Sequence, residues 1–339
     1  MAEPTAGRAP SRALDGLGAA LAPVVVEVTR ENVVESRHRA SLVLLDAAGE
    51  ITVEAGATAA AFLPRSALKP GQAVAMVEAG FPGRGAALAL AAASHDGEPM
   101  HLAGVRAVLA AAGLAEEALQ CPPDLPLGAD AARAWLRAGG GPERVCHNCS
   151  GKHAAMLATC VAAGWPTASY LDPGHPLQLA ARQRIEQLTG EAIDTVTVDG
   201  CGAPAFATSL VGLARLGAAI ADGNGAPGEV REAMRAFPQL VSGTRQASAA
   251  FAGEVAGLVA KYGAEGVWVA ALPDGRAFAA KVEDGAARVL APLLAAVLRH
   301  WGFDGPAVRT WSAVPTLGGG RPIGEIRPSA ELRALLSLT

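Results

Sequence analysis

Apolar residues are grouped in two ways along the chain. Near the start, "VVVEVTR" (24–30) and "RASLVLLDAAGEITVEAG" (39–56) are rich in Val, Ile, Leu and Thr, and the second is split by Asp46-Ala47-Ala48-Gly49. β-branched runs separated by a turn-forming tetrapeptide predict strands and a hairpin. From about 66 to 260 the spacing becomes helical, as in "GQAVAMVEAG" (71–80), "MHLAGVRAVLAAAGL" (100–114), "GADAARAWLRAG" (128–139) and "SGKHAAMLATCVAAG" (150–164), with breaks at Gly or Pro. One strand, "DTVTVDGC" (194–201), interrupts this block, and "GLVAKYG" (257–263) reads as the end of an apolar helix. "GVWVAAL" and "AFAAKVEDG", joined by Pro273-Asp274-Gly275, predict a second hairpin, and a long helix follows over about 286–301.

Strands therefore lie at both ends of the chain with helices between them. The simplest packing joins both sets into one antiparallel sheet, covered by the terminal helix and faced by the helical block. That is an α+β, three-layer-like fold. The expected organisation is a loose arm over 1–22 and one unit over 23–339. Within that unit the sheet part is 23–65 plus 264–339, and the mainly helical part is 66–263. There is no internal repeat.

With 339 residues, 51% of them apolar, the chain has ample material for a core. Its net charge of −4 and lack of a basic patch argue against nucleic acid or an anionic membrane as partner. "MAEPTAGRAPSRALDGLGAALAP" (1–23) lacks the charged-then-apolar pattern of a secretion signal, and no uninterrupted apolar run reaches about 18 residues. Five cysteines (121, 146, 149, 160 and 201) without such a signal are expected to be reduced thiols in a cytoplasm.

"LPRSALKPGQ" (63–72) holds Ser66-x-x-Lys69. Positions i and i+3 share a helix face, so hydroxyl and amine can meet. Pro70 lacks the amide a regular first turn would use, which predicts a 3₁₀ opening turn. A serine needs a base to take its proton, and a neutral lysine supplies one in a site that is apolar or holds a second cation. Taken alone, the tetrapeptide reads first as a helix cap followed by a surface lysine. "ASHDGE" (93–98) adds Ser94 at a break between helices, and "GLVAKYG" adds Lys261. Their plain readings are a cap and a lysine meeting a helix dipole.

"CHNCSGKH" (146–153) gathers thiols, imidazoles and Lys152 ahead of a helix running to about 163. A thiol at a helix N-terminus favours the thiolate. Cys201, in "VDGCGAP", follows a strand in a Gly- and Pro-rich turn. Two thiolates, one nitrogen and a water would make an open zinc site. Closed C-x-x-C pairs, a phosphate loop and H-E-x-x-H are all missing. Cys146 and Cys160 read as ordinary buried thiols.

Taken together and in order, "PRSALKPGQ", "ASH", "NCSGKH", "DGCGAP" and "AKYGAEG", with "VVESRHRA", "YLDPGHPLQ" and "KVEDG", resemble the bacterial class 3 L-asparaginases of the Rhizobium inducible type over roughly 25–330. The resemblance implies a fold like that of serine β-lactamases and glutaminases, and hydrolysis of L-asparagine to aspartate and ammonia. It implies two Ser-Lys pairs, Ser66 with Lys69 and Ser94 with Lys261. It further implies one zinc per chain held by Cys149, Lys152 and Cys201, with Arg65, His153 and Asp199 as substrate or supporting contacts. As a zinc ligand Lys152 would have to be neutral, at a cost of roughly 4–5 kcal/mol at pH 7. The expected assembly is a homodimer. "VSGTRQASAAF" (241–251) and "PTLGGGRPIGEIRP" (315–328) depart most from the family pattern. A peptidase or lactamase-like Ser-Lys hydrolase of the same fold, or a non-catalytic zinc module, stand as alternatives.

Overall fold

The structure, a computed structural model, describes residues 22–338. The arm expected over 1–22 therefore falls outside the described residues except for Ala22.

The first hairpin forms as the pattern predicts. Strand β1 (Val24–Arg30) leads into the long β2 (Val33–Leu45) and then β3 (Ile51–Ala55). The Asp46 carboxylate closes the β2–β3 turn by accepting from the amides of Ala48 (2.8 Å) and Glu50 (2.9 Å). Helices α1 (Lys69–Glu78), α2 (Ala86–Ala91), α3 (Pro99–Ala111), α4 (Ala129–Arg137), α5 (Ser150–Ala163) and α6 (Pro176–Thr189) come next. A two-stranded ribbon, β4 (Val196–Val198) against β5 (Pro204–Phe206), precedes α7 (Leu210–Asp222), α8 (Ala226–Ala236), α9 (Pro238–Val241) and α10 (Ala247–Glu254). The chain returns to the sheet as β6 (Val259–Gly263), β7 (Val267–Ala271) and β8 (Ala277–Val282). It ends with α11 (Leu290–His300), α12 (Pro306–Ser312), the hairpin β9 (Val314–Gly318)–β10 (Arg321–Pro328), and α13 (Ala330–Leu335).

Strands from both ends form one antiparallel sheet in the order β6-β7-β8-β2-β1-β10-β9, with β3 also pairing to β2. It is the middle of three layers, and both its faces are buried. In β7, Val267, Val269 and Ala271 join the core under the helical block, while Trp268 and Ala270 join the core under α11. A strand covered on both sides reads as a continuous apolar run and not as an alternation, which is why "VWVAAL" looks uniform.

Two expectations are corrected. Residues 257–263 end no helix. α10 stops at Glu254, Gly257 turns the chain at φ +77°, and Val259–Gly263 pairs with β7 from Val259↔Ala271 to Gly263↔Val267. The sheet part of the chain thus resumes at 259, ahead of the expected 264. The lone strand in 194–201 has a partner in β5, because its three residues cannot satisfy their backbone groups without one. The β9–β10 hairpin lies in a segment for which the pattern predicts no element.

Candidate active site

The turn around Ser66 is built as Pro70 requires. Arg65–Leu68 is a 3₁₀ turn, and α1 begins at Lys69 with Pro70 in its first turn. Arg65 sits at φ +53°, a strained conformation for a residue with a side chain. Its Nε donates to Asp199 Oδ1 at 2.6 Å, tying this turn to the loop that carries Cys201.

The expected pairing changes here. Lys69 is buried, and its ammonium donates to the Ala93 carbonyl and to Ser94 Oγ (3.0 Å) and lies 3.1 Å from Cys149 Sγ. Among the described residues the Ser66 hydroxyl makes no hydrogen bond to it. A buried ammonium carries three N–H donors, and the Ala93–Ser94 segment with Cys149 offers an acceptor for each, where Ser66 offers one.

Ser94 lies in the connection between α2 and α3, with its amide donating to the Val241 carbonyl (2.9 Å). Its Oγ also lies 2.9 Å from Lys261 Nζ. One buried hydroxyl thus touches both buried lysines. Lys261 extends from β6 toward the helical block. The next residue, Tyr262, projects to the other face, and its hydroxyl donates to the Ser94 carbonyl at 3.0 Å. Burial, and then the charge of Lys69, push the Lys261 amine well below the usual lysine range. Gly263 makes this approach possible, since a Cβ there would stand 2.2 Å from the Pro64 carbonyl oxygen.

The thiols sit behind Lys69. Cys149 caps α5, and Cys201 lies in the β4–β5 turn. Lys152 Nζ is 3.2 Å from Cys201 Sγ, and Cys149 Sγ is 2.9 Å from Asn148 Oδ1. A hydrogen bond from the Cys149 thiol, aided by Lys152, drives the Cys201 thiol far down to the thiolate, and the same pairing holds Cys149 up. Burial pulls the Lys152 amine down, but the neighbouring Cys201, Cys149 and Asp199 outweigh it and the net shift is upward. His153 is neutral, pushed down to about 4 chiefly by burial. Its Nδ1 meets the Tyr170 hydroxyl at 2.7 Å, and its buried Nε2 has no hydrogen-bond partner among the described residues. Burial lifts Cys121 to about 12 and Cys146 and Cys160 to about 11, which favours the neutral thiol at all three.

Ser66 and Ser94 line one cavity of about 560 Å³. Asn148, Gln246 and Tyr262 line it as well, and sequence reading missed all three. Asn148 stands inside the thiol motif, and Gln246 lies in the segment that departs from the family pattern. The Gln246 amide donates to both Asp96 oxygens (3.0 and 2.8 Å). Two signals were available: Asn148 is the neighbour of Cys149, and Tyr262 that of Lys261.

The order of these motifs along one chain has a counterpart among known proteins. Residues 26–328 match the family described as L-asparaginase II. The chain belongs to that family. As a member of the L-asparaginase II family it is an amidohydrolase. Among curated proteins none matches the chain. Similar solved structures include Mglu in its native form, at 15% identity over 83% of this chain and 69% of that one, TM-score 0.43. A β-lactamase from Mycobacterium bovis is 15% identical over 78% and 95%, TM-score 0.44. EstCE1, a hydrolase with promiscuous acyltransferase activity, is 12% identical over 81% and 92%, TM-score 0.35.

Proposed function

We propose that this L-asparaginase II family chain hydrolyses the side-chain amide of L-asparagine, with Ser94 as the attacking hydroxyl and Lys261 as its base. One observation carries the reading: Ser94 Oγ lies 2.9 Å from Lys261 Nζ and 3.0 Å from Lys69 Nζ. The neutral Lys261 amine takes the Ser94 proton as Oγ attacks the amide carbon. The Lys69 ammonium holds the forming ester oxygen and keeps Lys261 deprotonated. The C–N bond then breaks, nitrogen takes up the proton from Lys261, and ammonia leaves. Water, deprotonated by the same amine, hydrolyses the ester to aspartate.

A second reading is favoured by the strained turn at Arg65 and the place of Ser66 in the cavity wall. In it Ser66 attacks, and Ser94 passes protons between the two lysines. Both readings expect Ser94→Ala and Lys261→Met to lower kcat by at least about 10³-fold, or ~4 kcal/mol. Ser66→Ala separates them. Loss of less than about tenfold in kcat, with an aspartyl adduct still found on Ser94 by mass spectrometry of quenched enzyme, supports attack by Ser94. Loss equal to that of Ser94→Ala, with the adduct on Ser66 in the unmodified enzyme, makes Ser66 the nucleophile. If none of the three variants loses activity, a Ser-Lys mechanism is excluded.

Zinc belongs to the same proposal. Among the described residues no group of three or more His, Cys, Asp or Glu side chains is gathered as a ligand set. The set singled out by the sequence combines two thiols with an amine. Its chemistry fits zinc once Lys152 gives up its proton to the ion's field: the Cys201 thiol is driven down, Lys152 Nζ stands 3.2 Å from it, and the unpartnered His153 Nε2 is buried beside them. Cys149, Lys152 and Cys201 would hold the ion, which when bound supplies positive charge to orient the polar head of the substrate. Arg65 and Asp199 brace the turn between the two clusters. The assembly proposed with this function is a homodimer in a cytoplasm, and light scattering of the purified chain tests its mass against twice 34.1 kDa.

A further inference from the structure

The cavity that holds both serines is larger than an amino acid needs. At about 560 Å³ it falls in the range, roughly 300–1,000 Å³, that encloses drug-sized ligands. Its two ends also differ in chemistry. Ser66, Ser94, Asn148 and Gln246 make one end polar, while Trp268, Leu290, Ala291, Trp311, Val314 and Ile326 make the other an apolar arm. A continuous wall joins them. Tyr262 donates to the Ser94 carbonyl at 3.0 Å, its ring stands edge-on to Trp268 at 6.0 Å, and Trp268 Nε1 donates to the Leu290 carbonyl at 2.8 Å. The arm thus starts at the proposed nucleophile and runs under the first turn of α11. Charge enters only at its exposed rim, as Glu265 and Arg288, and the Arg288 guanidinium is turned onto His38 Nε2 (3.0 Å).

We propose that this arm is a leaving-group subsite, and that the enzyme takes N-substituted aspartyl β-amides whose nitrogen carries an aryl or alkyl group. The inference rests on the amidase reading above. With the amide carbon at Ser94, the charged α-amino and α-carboxylate groups stay at the polar end, because moving them along indole and aliphatic walls strips their hydration without replacement. The part of the substrate left to enter the arm is the substituent on the leaving nitrogen. The reaction balances as for asparagine: Oγ replaces nitrogen on the carbonyl carbon, the amine leaves with the proton held by Lys261, and water hydrolyses the ester. The products are aspartate and an apolar amine.

Binding to the full chain tests this through the fluorescence of Trp268 and Trp311, with Ser94→Ala used to prevent turnover and wild-type KM as a second measure. The probes are L-asparagine, L-aspartic acid β-anilide and N-α-benzoyl-asparagine. The expected result is a Kd for the anilide at least tenfold below that for asparagine, no gain for the benzoyl compound, and loss of the gain in Ala291→Phe, which fills the arm. Equal Kd values for anilide and asparagine, with asparagine hydrolysed, overturn the subsite and leave the amidase reading standing. Tight anilide binding cancelled by Ala291→Phe, with neither amide hydrolysed, keeps the arm as a binding site and removes the amidase reading. An equal gain for the benzoyl compound overturns the assignment of the arm to the leaving group.

Discussion

The chemistry of this chain turns on the charge of single side chains, and Lys261 is the clearest case. Its folded-state pKa is depressed by burial and by Lys69, so it gives up its proton more readily than an ordinary lysine, as the proposed base requires. As pH falls through the depressed value the amine takes a proton and the base is lost. Activity is therefore expected to decline on the acid side with the titration of this one group. Lys261→Arg, which cannot deprotonate, should be inactive at every pH. Stability follows the same linkage. Below the ordinary lysine value near 10.4 the unfolded chain binds a proton that folded Lys261 does not. Stability is thus fully present above that pH and is lost progressively as pH falls toward the folded value. Lys261→Met is expected to be inactive yet more stable at pH 7, by upwards of about 1 kcal/mol, and to flatten the dependence of Tm on pH between 7 and 10. Thermal denaturation across that range checks it, and a Tm below that of the wild type would remove the claim that the amine is held neutral. The lysines were visible as residues in the sequence. The resemblance to the family paired Lys261 with Ser94, and the two meet at 2.9 Å across 167 positions; the contact of Lys69 with Ser94, 25 positions away, was not legible, because Ser66-x-x-Lys69 suggests a contact of neighbours.

At the scale of elements, the edge strand β6 and the 3₁₀ turn before α1 form the working joint. Gly263 lets them touch, with its missing Cβ falling 2.2 Å from the Pro64 carbonyl oxygen. Gly263→Ala must push strand and turn apart. The expected cost is about 1–3 kcal/mol of stability, as for other overpacked sites. The loss in kcat should be larger than that cost alone implies, because Lys261 and Tyr262 move away from Ser94 with the strand. Denaturant midpoints and steady-state kinetics on one preparation decide this; a destabilised variant with unchanged kcat would show that the joint does not set the position of Lys261. The strand was misread in the sequence for a physical reason. "GLVAKYG" is too short to show a period, and an apolar run covered on both faces looks the same as the end of a buried helix. The hairpins around Asp46 and Asp274 were legible because a local turn announces them.

On the scale of the whole molecule, the sheet and the helical block meet where Ser94, Lys69 and Lys261 meet, and the thiol cluster ties α5 to the β4–β5 turn behind them. If zinc occupies that cluster it also braces the molecule. A metal at one hundred times its Kd adds about 2.7 kcal/mol to stability. Chelation is accordingly expected to lower Tm and to raise KM for asparagine more than it lowers kcat, and Cys149→Ser, Cys201→Ser and Lys152→Ala should copen the same losses without chelator. Metal content by elemental analysis, with both kinetic constants on metal-free protein, is the check. A fall in kcat near 10³-fold with KM unchanged would make the ion a catalyst and not a support. Selectivity is a property of the assembled pocket as well. Asparagine and glutamine differ by one methylene, so turnover is expected to favour asparagine by about 10–200-fold in kcat/KM, and equal rates in an ammonia-release assay would contradict a pocket fitted to the shorter amide.

By itself the sequence determined what depends on neighbours along the chain: the two hairpins, the extents of α1, α3, α4 and α5 to within a few residues, the 3₁₀ turn forced by Pro70, the helix opening after Cys149, and a set of ordered motifs specific enough to point to a family. Only the tertiary structure decided that Lys69 touches Ser94 and not Ser66, that Lys261 stands on a strand, that Tyr262 and Asn148 line the same cavity as both serines, and that this cavity continues along apolar side chains. The division has one cause. Turn and helix preferences are settled by backbone contacts a few residues apart, whereas the charge and partner of a buried lysine are settled by whatever distant segments close around it, and the closing of those segments is the fold.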